Sequence, residues 1–147
     1  MGLLQFARQF WIYSLWSLEA LVFMPPLTIL FFGSLIGLAA AFVKQRPFQH
    51  PLWKRSHWLV LTQLLFFPAV ISIGILYPAS GPSFQHPNST ASHVCDALAM
   101  LSLALAAFWV FRMKGVRWFA LCLVIMLQLV LLGALFVAGM AISGDWL

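Results

Sequence analysis

Apolar residues run almost unbroken through four stretches of this chain, residues 20–43, 58–77, 93–111 and 118–142. A helix needs roughly 20 mostly apolar residues to cross the hydrocarbon core of a bilayer. Each stretch therefore predicts a membrane-spanning helix, and together they predict a four-helix bundle. The polar segments between them are short. Residues 1–147 thus read as a single transmembrane domain, with no water-soluble unit in which an ordinary active site could be built.

The first apolar segment is too long for one straight span. Gln9 to Val43 has no polar break, and its 35 residues would make a helix about 52 Å long. Pro25-Pro26 is the natural point of relief. Neither ring nitrogen donates a hydrogen bond, and each ring opposes the carbonyl four residues back. The pattern predicts a kinked first helix, with residues 1–19 starting it as an interfacial or steeply tilted segment bearing Gln5, Arg8, Gln9 and Glu19. A cleaved signal peptide is not expected, because the apolar run is too long for a signal core and no small-residue cleavage pattern follows. Pro68 predicts a second bend, inside the second span.

Composition places the chain among integral membrane proteins of the all-α class. Hydrophobic residues make up 63% and charged residues 7%, and the mean hydropathy is +0.99, outside the range of soluble domains. Charge then orients the bundle. Seven of the eight Lys and Arg residues lie in two loops: Lys44, Arg46, Lys54 and Arg55 in one, Arg112, Lys114 and Arg117 in the other. The positive-inside rule makes both loops cytoplasmic and puts the 78–92 loop and both termini outside. The aromatic residues sort into two rims in agreement with this orientation. Trp11, Tyr13, Trp16, Tyr77 and Trp146 mark the outer rim, and Trp53, Trp58, Trp109 and Trp118 the inner one, where an indole or phenol keeps a polar atom wet. Size and apolar content suit a bacterial inner (cytoplasmic) membrane.

Candidate chemistry is sparse. Gly33, Gly37 and Ala41 recur every four residues and form a small-residue stripe on which another helix can pack closely, within the bundle or in a second copy. Gln63 and Gln128 lie within spans. An amide in hydrocarbon is costly unless bonded, so both should face inward, toward another helix or a proline-freed carbonyl. Lys44, Arg46, Lys54 and Arg55, interleaved with Phe48 and Trp53, suit anionic lipid headgroups. The basic charge serves a membrane rim, and no nucleic-acid motif accompanies it.

The stretch SFQHPNSTASHVCD gathers His86, His93, Cys95 and Asp96, which are plausible metal ligands. Their spacing matches no zinc or copper motif, and the same stretch reads more economically as a turn at Pro87-Asn88 followed by an N-cap from Ser89–Ser92. Cys95 and Cys122 fall at opposite rims, too far apart for a disulfide. His57 and His93 also fall at opposite rims, which disfavours a haem held by two histidines of one chain. No ionisable residue lies mid-span to relay protons or ions. The leading expectation is therefore a non-catalytic accessory, assembly or stabilising subunit of a larger membrane complex, with no identified cofactor. A redox protein binding metal, haem or quinone and a homo-oligomeric channel or small-solute transporter are the alternatives.

Overall fold

The computed structural model describes residues 2–49, 58–80 and 87–144. The fold is all-helical. Its α-helices among the described residues are α1 (Leu3–Phe23), α2 (Pro25–Gln45), α3 (Trp58–Leu76), α4 (Ser89–Arg112) and α5 (Arg117–Ser143), and a 3-10 turn covers Pro47–Gln49. Three of them, α2, α4 and α5, are long and apolar enough to cross a membrane. Within the 19 residues of α3 lies a shorter apolar run, Thr62–Leu76.

At the tandem prolines the chain breaks rather than kinks. Met24 is extended, at φ −104° and ψ 95°, and separates α1 from α2. The residue before a proline is pushed out of the helical region. Pro25 and Pro26 themselves occupy the first turn of α2, where backbone N–H groups have no intrahelical partner and their loss costs nothing. The cost falls on α1, because the Leu21 and Val22 carbonyls would have accepted from residues 25 and 26. Thr28 compensates. Its hydroxyl donates to the Leu21 carbonyl at 2.6 Å, with the Val22 and Met24 carbonyls at 3.1 and 3.2 Å around the same oxygen.

The last helix organises the molecule, since α5 packs against each of the other four. Small residues on several of its faces let backbones come close, which is how helices associate where lipid competes equally for large apolar side chains. A methyl group added to Gly133 would run into the Ser17 carbonyl of α1. One added to Gly74 of α3 would lie 2.9 Å from both Cα and Cβ of Ala138. On α2, a methyl at Gly37 would meet the Cys122 sulfur at 2.8 Å. Two apolar clusters form around these approaches. One joins Phe66, Val70 and Ile71 of α3 and Cys95 of α4 to Ala134 and Ala138 of α5. The other joins Ala41 of α2 and Trp109 of α4 to Phe119 and Ala120 of α5.

Trp109 departs from the rim role expected of it, being 1% exposed. It packs with Met113 and Val116, both wholly buried, at the tight corner between α4 and α5. Its ring thus fills the α4–α5 corner instead of meeting headgroups. Trp11 and Trp118 do lie exposed, whereas Trp53 and Trp146 fall outside the described residues.

Side chains and loops from elsewhere close both ends of α5. At its start the Gln45 side-chain carbonyl accepts from the Phe119 backbone N–H at 3.2 Å, so the end of α2 caps the start of α5. Phe42, Phe48 and Phe119 meet ring to ring just beside it. At the other end Gly144 turns left-handed at φ 81° and its N–H reaches the Met140 carbonyl at 2.9 Å, a turn suited to glycine. The next two carbonyls, of Ala141 and Ile142, accept from the Ala79 and Asn88 N–H groups at 2.9 and 3.1 Å. Three of the last four carbonyls of the helix are thereby satisfied.

The close approaches give a first prediction. Gly133→Ala and Gly74→Ala should each lower stability by about 1–3 kcal/mol, because backbone and Cα atoms cannot swing aside. Gly139 has open space around its Cα. Gly139→Ala should leave stability unchanged or raise it by up to about 1 kcal/mol. Unfolding in detergent micelles distinguishes the two classes.

Candidate functional site

The centre of the bundle holds a group of neutral polar side chains from three helices: Gln63 of α3, Ser102 of α4 and Gln128 of α5. Gln63 and Ser102 are buried and Gln128 is half-buried. The Ser102 hydroxyl donates to Gln63 Oε1 at 2.9 Å. Gln128 Nε2 donates to the same oxygen at 2.9 Å and to Ser102 Oγ at 2.8 Å. Gln63 Nε2 in turn donates to the Ser102 backbone carbonyl at 3.1 Å. Gln63 Oε1 therefore uses both lone pairs, and the Ser102 hydroxyl both donates and accepts.

Such a ring suits hydrocarbon. An amide left without partners there costs several kcal/mol, and each member removes that cost for another. Gln63 lies one residue before the Leu64 carbonyl that Pro68 deprives of a partner, yet its bonds run to α4 and α5. Ser102 is the member that inspection of the sequence misses. A serine in a helix usually bonds back to its own preceding turn, as Ser14 does to Phe10 and Ser17 to Tyr13. Only its depth, midway along α4 and level with two amides, sets Ser102 apart. Chemically the ring consists of neutral groups that hold hydrogen bonds, and nothing in it titrates near neutral pH.

The small-residue stripe on α2 is divided. Ala41 is buried in the cluster around Trp109 and Gly37 faces Cys122, but Gly33 has nothing within 4 Å of a Cβ placed on it. The start of α4 scatters the other candidates. Cys95 points into the apolar core, while His93 and Asp96 are exposed. Successive side chains on a helix diverge, so a buried cysteine carries its immediate neighbours outward. His86 lies outside the described residues. Among the described residues no three His, Cys, Asp or Glu side chains gather as a metal site would require. Asn88, rather than a serine of the Ser89–Ser92 run, caps α4, its Oδ1 accepting from the Ala91 N–H at 3.1 Å. The helix thereby starts four residues before the expected 93, taking in Ser89, Thr90, Ala91 and Ser92.

Lys44 and Arg46 are exposed at the end of α2, and Lys54 and Arg55 lie outside the described residues. Arg46 adopts a left-handed conformation at φ 42°, and its backbone N–H closes the helix on the Phe42 carbonyl at 3.2 Å. Phe42, Arg46, Pro47 and Phe48 line a concavity of about 260 Å³. Through the contacts of Gln45 and Phe48 with Phe119, this end of α2 meets the α4–α5 corner that carries Arg112, Lys114 and Arg117. Five of the chain's eight cationic residues thus share one end of the bundle.

No family model matches the chain, and no curated protein or solved structure shows significant similarity to it.

The polar ring gives a second prediction. Gln63→Leu strands the Ser102 hydroxyl and the Gln128 amide and should cost about 1–3 kcal/mol. Adding Gln128→Leu to that variant should cost less than Gln128→Leu costs alone, with a coupling of about 0.5–2 kcal/mol. A double-mutant cycle from unfolding in mixed micelles reads that difference, and strict additivity would mean the ring does not form.

Proposed function

We propose that the chain is a four-span membrane protein that acts by lateral contact, as an accessory, assembly or stabilising subunit of a larger membrane complex. In this reading α2, α3, α4 and α5 cross the bilayer, and α1 packs on the bundle as a tilted segment. The cationic end faces the cytoplasm, with both termini and the loop before α4 on the other side, as the positive-inside rule requires. A bacterial inner membrane suits this arrangement. Lys44, Arg46, Lys54 and Arg55 then meet anionic headgroups, and the concavity beside Arg46 admits a phosphate next to aromatic rings.

The outward face of α2 carries the proposal. Ile29, Phe32, Ile36, Ala39 and Val43 are exposed and follow the alternating three- and four-residue steps of a helix–helix seam. Gly33 and Ala40 lie beside them, also exposed, and would allow a neighbouring backbone to approach closely. The polar groups at the bundle centre supports the same reading, because its hydrogen-bonding capacity is largely spent on itself. The surface left to meet another molecule is lateral and apolar, which suits a partner's membrane helix.

This reading predicts that mild purification from the native membrane recovers a second membrane protein in fixed stoichiometry. Gly33→Leu with Ala40→Leu should release that partner while leaving thermal stability unchanged, since both positions face open space or the exterior. A strictly monomeric protein without a stoichiometric partner contradicts the proposal.

A further inference from the structure

A cleft of about 510 Å³ opens between α1 and the end of α5, beside the break at Met24. That volume falls within the roughly 300–1,000 Å³ of small-molecule sites. Its walls include Trp16, Phe23, Met24, Phe136 and Met140, and among the described residues the only charged side chain in its lining is Glu19. Among the described residues Glu19 forms no ion pair or hydrogen bond. Five of the eight Lys and Arg residues lie at the other end of the bundle, and Arg8, on the same helix as Glu19, is eleven residues away, about 16 Å along the axis.

We infer that this cleft binds a compact amphipathic cation, an alkyl- or arylammonium whose apolar body lies among the rings and methionines and whose charged head meets Glu19. Three features of the lining match that ligand class. A carboxylate at an apolar cleft supplies the opposite charge. Trp16, Phe23 and Phe136 present aromatic rings, which attract ammonium groups through their quadrupoles and most strongly when the ring is indole. Met24 and Met140 are flexible and polarizable, so they adapt to an irregular apolar body. Trp16 is also held in place by Tyr13, with ring centres 5.8 Å apart and planes 18° from parallel. The volume suits one compact ligand rather than a two-chain lipid. It is independent of whether α2 engages a partner, because the cleft lies between α1 and α5.

The test uses the full chain in neutral maltoside micelles, with a dodecyltrimethylammonium bearing a brominated tail as a quencher of tryptophan fluorescence. The expected result is saturable quenching that disappears in Trp16→Phe and weakens about tenfold in Glu19→Gln. Phe136→Leu, which leaves the carboxylate in place, should weaken binding by a smaller factor. Glu19 is exposed, so Glu19→Gln should melt as the parent does, and its binding can be compared directly. Equal quenching by the matching brominated dodecyl sulfate overturns the inference, as does unchanged binding in Glu19→Gln. Displacement of the probe by phosphatidylethanolamine as readily as by unbrominated dodecyltrimethylammonium also overturns it, because the occupant is then a lipid amine.

Discussion

Dispersion between closely approaching backbones is the main attraction open to helices in hydrocarbon, because lipid tails solvate a leucine about as well as another leucine does. The rest of this fold depends on that constraint being met along α5. Gly133, Ala134, Val137, Ala138 and Ala141 are all buried, and α1 and α3 approach this region so closely that a methyl at Gly133 or Gly74 has no room. Farther toward its start, α5 receives α2 at Cys122 and Phe119. A helix lined with large side chains would hold its neighbours apart and lose these contacts, which individually are worth only tenths of a kcal/mol.

Polar satisfaction follows the same geometry. Each end of α5 is completed by a group from a different part of the chain, Gln45 at one end and Ala79 and Asn88 at the other. Between those ends Gln128 joins α5 to α3 and α4 through Gln63 and Ser102. Packing fixes how near the helices come, and the hydrogen bonds fix their register, since each bond tolerates only a few tenths of an ångström. The Thr28 hydroxyl plays the equivalent part where the prolines leave carbonyls of α1 without donors.

The helical, apolar character of the chain and the approximate positions of the long helices were legible in the sequence, because run length against bilayer thickness is a strong constraint. What was not legible depended on three-dimensional neighbours. The prolines marked the right place, but a kink and a break differ by one residue's backbone angles, and Met24 adopts the extended form. Trp109 follows the composition of a membrane rim, yet a tight corner at Met113–Val116 encloses it. The amides stood out as intramembrane polar groups, whereas Ser102 looked like any helical serine. The metal-ligand residue types at the start of α4 were equally visible, but side-chain direction turns Cys95 inward and His93 and Asp96 outward.

The central claim, that α5 is the element on which the other helices are registered, can be tested by covalent chemistry using a residue already present. A Cβ at position 37 would lie 4.0 Å from the Cβ of Cys122, within the roughly 3.5–4.5 Å of disulfides. Mild oxidation of Gly37→Cys in membranes should give an intramolecular 37–122 crosslink, detected by peptide mass spectrometry, while Gly33→Cys gives none. A crosslink from position 33 to Cys122, or only intermolecular dimers from position 37, would contradict the packing of α2 on α5.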